Sequence, residues 1–359
     1  MYGFNSKSYT MMQRTKTDEP ISTQVKRKIR TPKVKKEEYE GNFGTIISTG
    51  STLSDLAISG GRIRGGGIPG GIFMEVFGPE SSGKSALLCE IGGDIQRKGG
   101  LVQYHDPESR IDHQFSQMFG ISIDDKNYHQ PDTVTQVFKA IDEWKPEPND
   151  KRIHGIIADS LAALSTDMEM EKKEGDKMGG RRGKEFSEGF RKAARLIKSN
   201  NYLLACSNQL RDTFAKFGKK EESPGGHAIK FYASLRLTTR ILKYITKTIT
   251  VHGKEVERAM GVNIEIKVVK SSVWKPLRTA PLTILFDYGI DDIRQNLQYI
   301  KDYTSNTVYT LGENKLGKGI EESIKMIEDG GLEKELREQV IDLWESIENK
   351  FKIERKPKR

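Results

Sequence analysis

The sequence predicts an α/β fold with a mostly parallel central sheet, and three observations carry that prediction. A strand-like run at residues 73–77 is followed by a glycine-bearing loop and a helical run over 86–96. Further apolar strand-like runs alternate with helical stretches, the order expected of helices wound over a parallel sheet. Each of those runs ends in polar residues, and open parallel sheets bind ligands beyond the carboxyl ends of their strands.

Residues 1–42 are poor in apolar side chains and carry a cationic cluster, Lys26-Arg-Lys-Ile-Arg30 with Lys33-Val-Lys-Lys36. They read as an arm that is flexible or folds on a partner. Residues 60–71 are the densest glycine run and must be loop. After the loop and helix at 78–96, residues 101–105 read as a strand. Residues 153–158 form a second, ending in Asp159-Ser160, and 202–207 a third, ending in Asn208-Gln209. Between the last two, Phe186, Phe190, Ala193, Ala194 and Ile197 give a helix over 184–198 one apolar face. From Ile229 to about Phe286 the pattern turns to strands: residues 235–240 and 262–268 alternate, and Val251-His-Gly-Lys254 reads as a turn between them. Helical periodicity returns at 291–303 and 320–351, with a hairpin signal at Tyr309-Thr-Leu311. The expected organisation is a basic arm (1–42), an α/β core (43–288), a small C-terminal α+β domain (289–349) and a basic tail (350–359).

Composition excludes several classes. Hydrophobic residues make up 35% and charged residues 30% of 359, so a sizeable core requires that some segments stay outside it. Cys89 and Cys206 sit in separate apolar runs and read as buried hydrophobes of a reducing compartment, not as a disulfide or zinc frame. No apolar stretch approaches about 18 residues, so no membrane span is expected. Residues 1–7 lack the apolar region of a signal peptide. A cytoplasmic location is expected, the host cytoplasm if the protein is viral. The net charge of +9 is concentrated at the ends. Ten Lys/Arg face five Asp/Glu in 1–42, and six face one in 350–359, so the middle is close to neutral. Basic tails attract polyanions by counterion release, which favours nucleic acid over mere solubility.

The octapeptide Gly78-Pro79-Glu80-Ser81-Ser82-Gly83-Lys84-Ser85 fits G-x-x-x-x-G-K-[ST], and its strand–loop–helix setting is the one this phosphate-binding motif needs. Backbone N–H groups wrap the phosphates where glycine leaves room, and the helix directs its positive end at the anion. Lys84 supplies a mobile point charge to the outer phosphates. The Ser85 hydroxyl can hold Mg²⁺, which prefers oxygen ligands. Asp159 ends an apolar strand, where P-loop ATPases hold the metal's water. Glu108, beyond the neighbouring strand, can polarise a water for attack on the γ-phosphate. Gln209 follows a buried strand and needs polar partners there.

Taken together, Ile47-Ser-Thr-Gly-Ser51, the P-loop, Gln130-Pro-Asp132 and Ala158-Asp-Ser-Leu-Ala-Ala-Leu164 resemble segments of the RecA family of recombinases. So do Asn208-Gln-Leu-Arg211, Gly225-Gly226, Lys230-Phe-Tyr-Ala-Ser-Leu-Arg236 and Lys267-Val-Val-Lys270. They stand in family order over about residues 45–290. The resemblance implies a RecA-like P-loop ATPase core that uses ATP and Mg²⁺. It implies Glu108 as catalytic glutamate, Asp112 and Phe115 at the adenine, and Gln209 as a γ-phosphate sensor that orders the following loop. Lys270 would reach across a filament interface to a neighbour's ATP. Two long charged segments, 170–184 and 211–226, match the family's DNA-binding loops. The resemblance assigns DNA contacts to Met178, Arg181, Arg182, Arg211, Phe217, Gly225 and Gly226, with Ser187 and Arg191 one helical turn apart.

The chain also departs from the family. Ser272 stands where a second cross-interface lysine is common, with Lys275 nearby as a substitute. The first loop is about one residue short, and a basic run replaces an acidic tail. The resulting expectation is an ATP-dependent homologous-recombination protein that forms a homo-oligomeric helical filament on single-stranded DNA and exchanges strands with duplex DNA. The alternatives are a hexameric helicase of the same fold and a nucleotide-responsive DNA-binding regulator.

Overall fold

A computed structural model describes residues 44–146, 151–171, 181–212, 221–222, 226–304 and 306–355. Its strands are β1 (Ile46–Ile47), β2 (Ile68–Pro69), β3 (Ile72–Gly78), β4 (Val102–His105), β5 (Tyr128–His129), β6 (His154–Ala158), β7 (Tyr202–Gln209) and β8 (Arg211–Asp212). They continue with β9 (Glu221–Glu222), β10 (Leu235–Val251), β11 (Lys254–Ser271), β12 (Thr279–Leu285), β13 (Gly289–Ile290), β14 (Thr310–Leu311) and β15 (Asn314–Lys315). The helices are α1 (Thr52–Ser59), α2 (Lys84–Arg97), α3 (His113–Met118), α4 (Val134–Glu143), α5 (Asp167–Glu171), α6 (Arg181–Ser199), α7 (Gly226–Tyr232), α8 (Asp292–Tyr303), α9 (Ile320–Gly330) and α10 (Glu333–Lys350).

Among the described residues, nine strands make one sheet in the order β13-β12-β11-β10-β3-β7-β6-β4-β5. The six from β10 to β5 are parallel; β11, β12 and β13 extend the sheet antiparallel. The expected mostly parallel sheet is therefore present, with the alternating strands after residue 229 forming its antiparallel edge. The central strands β6 and β7 are buried almost throughout, which explains their uninterrupted apolar runs.

One face of the sheet is covered by α4, α6 and α7 around Phe186 and Phe190. Phe190 stacks on Phe73 at 4.4 Å and meets Phe138 edge-on at 5.0 Å. Gly189 sits mid-helix because a Cβ there would lie 2.1 Å from the Phe138 ring. Helix α6 buries Phe186, Phe190, Ala193 and Ile197 as its spacing predicts, but Ala194 is exposed. Each buried phenylalanine of this set contributes roughly 1.5–3 kcal/mol.

The other face is covered by α1, α2 and the C-terminal helices in a single apolar cluster. Leu297, Ile327, Leu336 and Val340 belong to the same cluster as Leu56 and Leu87. The helical stretch expected over 320–351 is two helices, because Gly331 takes a left-handed φ of +57° and caps α9. Arg64, from the glycine-dense loop, reaches Glu338 at 2.7 Å, Asp342 at 2.8 Å and Glu345 at 3.0 Å along one face of α10. Trp274 packs on Trp344 at 5.6 Å beneath the Arg278 guanidinium. Both cysteines are free and buried, and no helix among the described residues is long and apolar enough to cross a membrane.

Asp55 of α1 lies inside this packing, 1% exposed. Its carboxylate accepts from Ser48 Oγ at 2.6 Å and from Thr49 N and Oγ1, both at 2.8 Å, with Arg337 3.8 Å away. Burial outweighs these partners and pushes its pKa up to about 6. A carboxyl whose folded pKa is raised stabilises the fold most when protonated in both states. That contribution is full below pH 4 and is lost as pH rises through about 6. Asp55→Asn should therefore gain stability relative to the parent between pH 4 and 6, by about 3 kcal/mol at most. Denaturant titrations across that window test it; parallel pH curves for the two proteins would refute it.

Candidate nucleotide and DNA-binding site

Strand β3 delivers Gly78 to the carboxyl edge of the sheet, and the chain turns through residues 79–83 into α2. A Cβ on Gly78 would lie 2.6 Å from the Thr239 carbonyl oxygen, and Gly83 caps α2 with a φ of +79°. Both positions require glycine, and they give the loop the shape of a phosphate cradle. Ser82 braces it, donating to the Pro79 carbonyl at 2.7 Å and sharing a bond with Thr239 Oγ1 at 2.7 Å. Lys84 Nζ donates to the loop's own carbonyls, Pro79 O at 2.6 Å and Gly78 O at 3.2 Å. Burial lowers its pKa while Asp159, Glu80 and Glu108 hold it up.

The register of the sheet gathers the remaining groups. Gly78 pairs with Gln209 across β3 and β7, and Ala158 pairs with both Cys206 and His105. The residues just past these strand ends therefore meet. Asp159 accepts from the Ser207 and Ser85 hydroxyls. Burial raises its pKa, and those two hydroxyls lower it. Glu108 Oε1 accepts from Ser160 Oγ at 2.9 Å, and its Oε2 lies 2.7 Å from Arg110 Nη1. A cleft of about 340 Å³ is lined by Glu80, Ser81, Lys84, Ser85, Glu108, Asp159 and Gln209. Asp112 and Phe115 line it too. Asp112 also caps α3 by accepting from Phe115 N at 2.8 Å. The half-buried Phe115 ring leans on Phe119 at 5.0 Å.

The DNA-contact set is only partly within the described residues. Met178, Phe217 and Gly225 lie outside them, and of Arg211 the backbone alone is described. Strand β8 pairs with β9 through Arg211↔Glu222, closing the base of the second long segment, and Gly226 begins α7. Of the first segment, Met170 lies in α5 and Arg181 and Arg182 lie in α6, while residues 172–180 fall outside the described residues. Arg182 Nη2 donates to Leu161 O at 2.9 Å and Ala162 O at 2.6 Å. Those carbonyls sit just beyond Asp159, so the arginine ties α6 to the nucleotide edge. Arg181 is exposed, 3.8 Å from Glu185. Ser187 is half-buried and Arg191 exposed on the same helix.

Lys270 is not in the cleft. Its Nζ donates to Lys230 O at 2.7 Å and Phe231 O at 3.0 Å, at the C-terminal end of α7, where helix carbonyls favour a cation. Ser272 N donates to Ser234 O at 2.7 Å, and Lys275 Nζ lies 5.7 Å from the Trp274 ring.

A family model described as the RecA N-terminal domain matches residues 30–291. The chain belongs to the RecA family. It is 32% identical over 306 residues to the RecA protein of Treponema denticola, covering 82% of this chain and 70% of that one. To the RecA protein of Delftia acidovorans it is 32% identical over 305 residues, covering 83% and 78%. To that of Thermus thermophilus it is 32% identical over 308 residues, covering 84% and 86%. The chain is accordingly a DNA-dependent ATPase of homologous recombination and DNA repair. Its RecA-like core carries the cleft on the parallel part of the sheet. Ser160, Ser207 and Arg110 join the site through contacts that only the structure shows. The two serines follow or end strands whose polar termini were the available signal, whereas nothing in its spacing marks Arg110.

Proposed function

We propose that the chain forms a helical filament on single-stranded DNA with ATP and Mg²⁺ bound, and pairs that strand with homologous duplex in the cytoplasm. The observation that carries this reading is the convergence of Lys84, Ser85, Glu108, Asp159 and Gln209 on one cleft from four separate strands. The backbone of 78–83 and Lys84 hold the phosphates, and Asp112 and Phe115 hold the adenine edge and face. Ser85 and Asp159 hold Mg²⁺, which when bound neutralises charge on the phosphates. Glu108 takes a proton from the attacking water. Gln209 senses the γ-phosphate at the start of the second long segment and orders it for DNA, an order–disorder switch driven by one phosphate. Arg181, Arg182, Ser187, Arg191 and Arg211 contact the DNA backbone with Met178, Phe217, Gly225 and Gly226. Lys270 acts across the filament interface. The arm, core, C-terminal α+β unit and tail retain the boundaries set out above.

The test is steady-state ATP hydrolysis with and without single-stranded DNA, with electron micrographs of the same samples. Strong stimulation with helical filaments is the expected result. Rings without filaments would overturn the filament reading in favour of a helicase-like assembly.

A further inference from the structure

The nucleotide cleft is unbalanced in charge. Among the described residues, its lining carries five carboxylates, from Glu80, Asp106, Glu108, Asp112 and Asp159, against two cations, Lys84 and Arg110. A nucleoside triphosphate adds further negative charge at its γ-phosphate end. Phosphoryl transfer leaves the protein little covalent work beyond positioning and charge neutralisation, so each cation in the cleft matters. Lys84 is accounted for by the P-loop. Arg110 is not.

Arg110 stands two residues beyond Glu108 on the turn after β4. Its Nη1 lies 2.7 Å from Glu108 Oε2, and its side chain is 76% exposed, against 16% for Glu108. An ion pair with so exposed a partner contributes little to stability, so the guanidinium can leave it at small cost. Glu108 keeps its other contact, from Ser160 Oγ at 2.9 Å, and so stays oriented when Arg110 moves. A phosphate oxygen arriving beside Glu108 meets a carboxylate that repels it and a planar guanidinium suited to bind it bidentately.

We propose that Arg110 is a catalytic cation acting within its own protomer, transferring its guanidinium from Glu108 to the γ-phosphate of bound ATP. The exchange has two effects. It frees Glu108 Oε2, and it places positive charge on the phosphoryl group in transfer. The water oxygen then bonds to the γ-phosphorus, its proton passes to Glu108, and the bond from that phosphorus to the β–γ bridging oxygen breaks, leaving ADP and phosphate. The inference rests on Glu108 being the group that takes the proton.

The experiment compares Arg110→Ala, Arg110→Lys and Glu108→Gln in the full chain. It reads DNA-stimulated hydrolysis and the affinities for ADP alone and for ADP with aluminium fluoride, a mimic of the transferring phosphoryl. Arg110→Ala should bind ADP like the parent, but lose roughly tenfold or more in kcat and in its preference for the fluoride complex. Arg110→Lys should recover part of both, because it retains a charge without the fork. An Arg110→Ala protein with parental kcat and parental fluoride preference would overturn the proposal. So would a faster one, since the arginine would then be a restraint on Glu108. Glu108→Gln separates the two readings. If it hydrolyses ATP normally, the role of Glu108 is wrong, and the fluoride preference of Arg110→Ala still decides whether the arginine meets the phosphoryl group.

Discussion

Lys84→Ala should abolish ATP-dependent DNA binding and lower hydrolysis by about a hundredfold or more, while the protein stays folded. Its ammonium donates to the P-loop carbonyls of Gly78 and Pro79, the first bond half-buried and the second exposed. Losing those bonds leaves acceptors that water can reach, so the cost to stability is small. The nucleotide, by contrast, loses a cation in a cleft where carboxylates predominate. The measurement is fluorescent-nucleotide affinity and ATP turnover beside a thermal melt. Filaments that assemble normally with ATP on DNA would remove Lys84 from the phosphate site.

The largest stability effect is expected from Glu75→Ala. Glu75 is fully buried in the middle of β3, and the Arg236 side chain of the adjacent β10 is 12% exposed. Arg236 Nε donates to Glu75 Oε2, and its guanidinium lies 4.4 Å from the Phe77 ring centroid. Asn208 Nδ2 donates to the other carboxylate oxygen at 3.0 Å, and Asn208 Oδ1 accepts from Gln209 N at 3.1 Å. Removing the carboxylate takes away the charge that Glu75 sets against a largely buried guanidinium, which costs roughly 3–5 kcal/mol. A fall in melting temperature on the order of 10 °C would follow. The double replacement Glu75→Leu with Arg236→Met should cost much less, since well-packed apolar pairs substitute for buried ion pairs. Equal losses in the single and double variants would show that packing, not the charge, dominates. Because Asn208 connects this pair to Gln209, Glu75→Ala should also weaken DNA stimulation in whatever fraction remains folded.

Much of this was legible in the sequence because it is local. The phosphate loop is eight contiguous residues, and its requirements at Gly78, Gly83, Lys84 and Ser85 are met by the backbone around them. The face of α6 could be read from spacing alone, since one helix period decides which side chains share a surface. Ala194 fails because, about 100° round the helix from Ala193 and on the side away from buried Gly189, it lies at the exposed edge of that face. Arg181 and Arg182 lie in a helix although the glycines and charges of 179–184 signal loop. What outweighs them is the anchoring of Arg182 to Leu161 and Ala162, a contact across about twenty residues of chain.

The sequence by itself determined the class of fold, the phosphate loop and the polar residue at the end of each strand. Those follow from propensity and periodicity, which act over a few residues. Only the tertiary structure decided which strand ends meet. The order β3-β7-β6-β4 brings Gly78, Gln209, Asp159 and Glu108 to one edge, although they are separated by up to 131 positions in the chain. It also decided that Lys270 caps α7, that Arg236 neutralises Glu75, and that Arg110 shares a cleft with Lys84. Charge pairing and hydrogen bonding operate over a few ångströms of space, and a chain's spacing along its length does not encode that distance.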